Sequence, residues 1–134
     1  MTQEDKELLL TDLCARLPYG VKIRMIHHEI KGADPEYVDD VFSTTHYNMI
    51  DYDDDNYEFL PYLRPMSSMT KEEEKEYNDL YYNAPQFKDG WRDAKYLEGL
   101  HVDYLNSIHV DYRGLISKGL AIKVTEENNP YKTE

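Results

Sequence analysis

Between Leu17 and Val21 the hydrophobic rhythm of the chain changes, and that change constrains the fold more than any other feature. Upstream, Leu9, Leu10, Leu13, Cys14 and Leu17 recur at helical spacing. Thr2 followed by Asp5 resembles a capping box with Asp in place of Glu. Pro18 and Gly20 end the helix. Downstream, Tyr19 to His28 alternates, with Val21, Ile23 and Met25 on one side and Lys22 and Arg24 on the other. That is the pattern of a half-buried strand.

Further short strands are predicted. Lys31-Gly32-Ala33-Asp34-Pro35 is a turn signal, and 37–50 is rich in β-branched and aromatic residues that read as one or two strands. Residues 51–56 form a polar turn and 57–60 another strand. Pro61 and Pro65 exclude a helix between them. Thr70 and Glu73 make a capping box for a helix running to about Tyr82. Asp93 can cap the next helix, whose face is Leu97, Leu100, His101, Tyr104 and Ile108. Asp111 can cap a shorter helix through Lys118, closed by a left-handed Gly119 with Leu120 as its apolar contact. A last short strand covers 121–124. The expected class is α+β: an N-terminal helix, a small antiparallel sheet whose lengths fit an SH3-like or otherwise curved form, and C-terminal helices. With 134 residues the chain suits one domain over 1–124, followed by a polar tail, 125–134, expected to fray.

Charge is distributed unevenly. Residues 29–58 hold ten acids and one base, Lys31, in a chain whose net charge is -12. The flanking polypeptide is nearly balanced. Such a field repels phosphate, so direct nucleic-acid binding is not expected. No apolar run approaches a membrane span, and the acidic opening Met1-Thr2-Gln3-Glu4-Asp5 lacks the pattern of a signal peptide. One cysteine fits a reducing, cytoplasmic setting, and Cys14 on the apolar stripe is expected to be a buried, inert thiol.

Few motifs carry chemistry. Asp51-x-Asp53-x-Asp55 opens like a calcium loop but then places Asn56 at the glycine position and Tyr62 at the twelfth. His101-Val102-Asp103-Tyr104 recurs as His109-Val110-Asp111-Tyr112, which makes His101, Asp103, His109 and Asp111 an alternative metal set. Their spacing on one helix does not bring them face to face, and a core-edge His with a capping Asp is the simpler reading. His27 and His28 point to opposite faces of a strand and do not join one cluster with His46. Gly-rich phosphate loops, nucleophile elbows and paired Cys motifs are absent from the sequence. No cofactor is expected. The 13 tyrosines favour half-wet surfaces, with Tyr57, Tyr62, Tyr81, Tyr82 and Tyr96 as candidates. Arg64, between two prolines, is placed to pair with the acidic strands or with a partner's carboxylate.

Three stretches also carry a resemblance: Asp12-Leu13-Cys14-Ala15-Arg16-Leu17-Pro18-Tyr19-Gly20-Val21, Pro61-Tyr62-Leu63-Arg64-Pro65-Met66-Ser67-Ser68-Met69-Thr70, and His109-Val110-Asp111-Tyr112-Arg113-Gly114-Leu115-Ile116. In that order they resemble a family of small uncharacterised proteins from gut anaerobes and their phages or other mobile elements. The resemblance spans about Leu8 to Leu120, apart from 22–58. It implies an intracellular accessory protein and brings no activity or site residue with it.

The function expected from the sequence is binding of another macromolecule, a protein, through an acidic, Tyr-rich surface. Its candidate residues are Asp39, Asp40, Asp53, Asp54, Asp55, Tyr57, Tyr62, Arg64, Tyr81 and Tyr82. The alternatives are a small-ligand or divalent-cation module using the His/Asp repeat, and a hydrolase with an unrecognised site.

Overall fold

A computed structural model describes residues 1–28, 34–52, 56–83 and 94–132, with the backbone alone at 81–83 and 94–97. The first helix, α1 (Gln3–Arg16), starts where the Thr2 hydroxyl accepts the Asp5 N–H at 3.0 Å. A single 3-10 turn over Leu17–Tyr19 then ends on Gly20, whose φ of 68° lies in the left-handed region that favours glycine. Strand β1 (Lys22–His27) follows, then β2 (Glu36–Val41), helix α2 (Thr44–Asp51) and the long strand β3 (Tyr57–Pro65). Helices α3 (Lys71–Asn83) and α4 (Ala94–Ser107) lead to two short strands, β4 (Val110–Asp111) and β5 (Ile122–Lys123).

The class is α+β, and the sheet is mixed. β1 lies between β2 and β3 and pairs with both antiparallel, as the short connections predict. The outer half of β3 pairs in parallel with β4 and β5. Pro61 marks the changeover. It stands opposite Ile23, and the alternation of the ladder turns its nitrogen away from β1, so the missing N–H removes no bond there.

The core forms between α1 and one face of the sheet. It contains Leu9, Leu13, Val21, Ile23, Phe42, Ile50, Phe59, Leu63, Leu115 and Leu120. Each such side chain contributes about 1.5–3 kcal/mol when fully buried.

The structure corrects several expectations. The stretch 44–51 is a helix and not a strand. Its β-branched Thr44 and Thr45 are exposed, whereas His46 and Ile50 fall one helical turn apart on the buried side. The backbone N–H of Ser43 donates to His46 Nδ1 at 3.0 Å, closing the first turn. Lys6, itself buried, donates from Nζ to the Asp51 carbonyl at 2.7 Å and closes the other end. Cys14 is exposed, because α1 buries Lys6, Leu9, Asp12, Leu13 and Arg16 and rotates the thiol past the edge of that face.

Residues 112–118 form turns and not a short helix, although the predicted cap and stop are both present. The Asp111 carboxylate accepts the N–H groups of Leu115 and Ile116 at 3.0 and 2.9 Å. Gly119, at φ 74°, closes the turn with bonds from its own N–H to Ile116 and from Leu120 N–H to Leu115. In the polar tail, Tyr131 packs back onto the sheet. Of the turn signal, Lys31, Gly32 and Ala33 lie outside the described residues, as do the tip of the acidic loop at 53–55 and the Asp93 cap.

Candidate functional site

The acidic segment contributes one continuous described surface, strand β2. All six of its residues are exposed. Tyr37, Val38 and Val41 have relative exposures of 59%, 48% and 45%, unusual for large apolar side chains in a strand. Among the described residues, β2 pairs with β1 on one side and is an edge of the sheet on the other.

On the outer face of the sheet, Arg24 of β1 organises the strand. Its Nε and Nη2 donate to the two Asp39 oxygens at 3.0 and 3.4 Å. Its guanidinium lies over the rings of Tyr37 and Tyr62, at 5.5 and 5.6 Å from their centroids. The Tyr62 hydroxyl donates to Asp39 at 2.9 Å. The hydrogen bond from Arg24 holds the Asp39 carboxyl below its usual range, and burial, with the Asp39 contact, pushes the Tyr62 phenol up to about 12. On the inner face, Asp40 accepts the N–H of Val41 at 2.8 Å through one oxygen, while the other faces His46 Nε2 at 3.4 Å. Glu58 faces His28 at 3.8 Å. The acidity is therefore partly balanced inside the fold, while the exposed carboxylates of Asp34, Glu36 and Asp51 have no cationic partner among the described residues.

The other surface candidates separate. Tyr62 is buried at 3% exposure and serves Asp39, so it is not a surface residue. Tyr57 is half-buried and stacks on His27, with centroids 4.4 Å apart. Arg64 pairs with neither the acidic strands nor open solvent: its Nη2 and Nη1 donate to the Glu73 oxygens at 2.6 and 2.7 Å. Glu73 also accepts the Thr70 N–H at 2.9 Å, completing the capping box, and these bonds, led by that of Arg64, lower its pKa to about 2. Asp53, Asp54 and Asp55 lie outside the described residues, as do the side chains of Tyr81, Tyr82 and Tyr96.

The His/Asp repeat does not converge. His101 stacks on Tyr77 at 4.2 Å, Asp103 is exposed, His109 stacks on Tyr131 at 3.9 Å, and both Asp111 oxygens accept backbone N–H groups. No group of three or more His, Cys, Asp or Glu among the described residues is arranged to hold a metal. A carboxylate already filled by two N–H donors and imidazoles committed to ring stacking make a poor ligand set.

Behind β4 lies a buried polar cluster that little in the sequence announces. Asp12 and Arg16, both fully buried, form a two-point ion pair at 2.8 and 3.1 Å. Arg113 adds a bond to Asp12 at 2.8 Å, and Arg16 donates to the Val110 carbonyl at 2.7 Å. Tyr112 lies under both guanidinium groups, at 5.4 and 4.5 Å, and donates to the buried Asn106 at 2.9 Å. The only hint was helical i, i+4 spacing of Asp12 and Arg16. Arg64 N–H also donates to the His109 carbonyl at 2.8 Å. Residues of 12–21 and of 61–70 are thus both bonded to 109–116, which ties α1 and β3 to β4.

A groove of about 310 Å³ beside α3 is lined by Met66, Met69, Glu74, Tyr77 and Asn78. It contains no convergent set of acid, base and nucleophile. No helix among the described residues is long and apolar enough to cross a membrane. The chain matches no family model, no curated protein and no solved structure.

Proposed function

We propose that this protein acts by binding another protein, and that the contact surface is β2 with the carboxylates beside it. The observation that carries the reading is that every residue of Glu36–Val41 is exposed, in a strand combining Tyr37, Val38 and Val41 with Glu36, Asp39 and Asp40. Apolar side chains rimmed by one sign of charge suit a partner whose surface is basic, which the negative field also steers into place. The setting is the cytoplasm, in keeping with one unpaired cysteine and with the resemblance to accessory proteins of gut anaerobes and their mobile elements.

The test is a titration of the isotope-labelled full chain with basic and acidic polypeptides of matched length, at low and high salt. Basic chains are expected to shift the amides of Glu36–Val41, and less so at high salt. Charge reversal at Glu36 and Asp40 is expected to weaken that response. If basic and acidic chains act alike, or the shifts fall elsewhere, the surface is misassigned.

A further inference from the structure

The hydrogen-bonding pattern of β2 says how a partner would attach. Phe42 N–H donates to the Val21 carbonyl at 2.9 Å, which fixes the phase of the antiparallel ladder. Counting back along the register, the backbone groups of Asp40, Val38 and Glu36 face β1, opposite Ile23, Met25 and His27. Those of Tyr37, Asp39 and Val41 face away from it. The Val41 N–H is already occupied by the Asp40 carboxylate at 2.8 Å. Tyr37 and Asp39 are left with N–H and C=O groups directed outward from an exposed edge.

Resting on the reading above, we infer that β2 receives its partner by strand addition, pairing main chain to main chain at Tyr37 and Asp39 with an extended basic segment. Antiparallel addition continues the β1–β2–β3 arrangement. Charge selects the occupant. Glu36, Asp39 and Asp40 are the only charged residues on the strand, and of the cations on β1, Arg24 is engaged with Asp39 and Lys22 donates to the Pro130 carbonyl. A second copy of β2 would set carboxylates against carboxylates, which disfavours self-pairing. Cross-strand matching asks for a basic residue opposite each acid and an apolar one opposite Tyr37, Val38 and Val41. Written from its N-terminus, that antiparallel strand is Val-Lys-Lys-Val-Val-Lys. Asp40, by capping Val41, limits the open edge to its Tyr37–Asp39 portion and so guards against indiscriminate pairing.

The experiment uses this hexapeptide and two backbone N-methylated versions, one methylated at the odd and one at the even positions. The side chains are the same in all three. Only one methylated set lies on the edge facing β2. Strand addition therefore predicts that one version loses binding by about tenfold or more while the other stays within about threefold of the parent. Amide exchange at Tyr37 and Asp39 is expected to slow in the complex. In the protein, Tyr37→Pro removes an outward N–H without touching the β1 ladder, and it is expected to bind more weakly than Tyr37→Ala. The peptide pair decides the matter even if Tyr37→Pro fails to fold. Equal binding of both methylated versions overturns strand addition and leaves the acidic docking surface standing. Failure of the parent hexapeptide, with longer basic chains still shifting β2, overturns strand addition alone. Failure of every basic chain overturns both.

Discussion

Tyr131 lies flat against His109, with ring centroids 3.9 Å apart and planes 9° from parallel. Its hydroxyl reaches past the imidazole into the sheet, accepting the Lys22 N–H at 2.9 Å and donating to the Tyr62 carbonyl at 2.7 Å. The register that pairs Ile23 with Pro61 would next pair Lys22 with Tyr62. The phenol occupies that step of the ladder and bridges β1 and β3 where they part. Burial pushes its pKa up, so it remains a neutral donor and acceptor.

Removing that bridge tests its weight. Tyr131→Phe keeps the stack and deletes the hydroxyl, leaving Lys22 N–H and Tyr62 C=O without their partner. A loss of about 1–3 kcal/mol is expected in urea unfolding. Tyr131→Ala, which also removes the ring, should cost more. If Tyr131→Phe unfolds at the parent's midpoint, the hydroxyl is not bridging the strands in solution.

His109 makes stability depend on pH. Burial, reinforced by Arg16, Arg64 and Lys22, lowers its pKa from 6.5 to about 4. The unfolded chain then takes up a proton at higher pH than the folded chain does. This contribution is complete above about pH 6.5 and falls away as pH drops towards 4. The midpoint of unfolding should decline over that window, and an NMR titration should show the His109 ring neutral at pH 5.5. His109→Asn, which tolerates the positive φ of 61°, should flatten that part of the profile.

Glu73 acts at lower pH. With its pKa lowered from 4.5 to about 2, mainly by Arg64, its contribution is present above pH 4.5 and is lost as pH falls towards 2. Glu73→Gln is expected to cost about 1–2 kcal/mol at neutral pH, by weakening the bonds to Arg64 and to the Thr70 cap. Calorimetry of this variant at pH 7 and pH 3 should show a larger difference from the parent at pH 7.

The Asp12–Arg16 pair is fully buried, so breaking it and replacing it have different consequences. Asp12→Ala strands two guanidinium groups and is expected to cost about 3–5 kcal/mol. The double replacement Asp12→Leu with Arg16→Met should be much less harmful than the sum of the single changes. Denaturant midpoints for the four-member cycle give the coupling. Additive losses would mean that the two side chains do not act as a pair.

Local rules account for what the sequence made legible. The Thr2 cap, the alternation of β1, the Thr70–Glu73 box and the left-handed Gly119 each depend on neighbours within about five residues, so the pattern of side chains defines them. The stretch 44–51 escapes such rules: its β-branched Thr44 and Thr45 favour a strand locally, whereas the helix depends on the Ser43–His46 contact and on burial of His46 and Ile50. On β2, the sequence identified the charge of Asp39 and Asp40 but not that Tyr37, Val38 and Val41 would remain uncovered, since exposure at an edge depends on what packs elsewhere.

By itself, then, the sequence determined the α+β class, most helix and strand positions and the anionic character of the middle segment. Tertiary structure decided which polar groups went inside and which apolar groups stayed outside. Arg16 meets Val110 across 94 positions and Tyr131 meets Lys22 across 109. Such contacts follow no local period. They exist because a buried charge or phenolic hydroxyl must find a partner wherever the folded chain brings one, whereas the exposure of β2 follows from its place at the sheet edge.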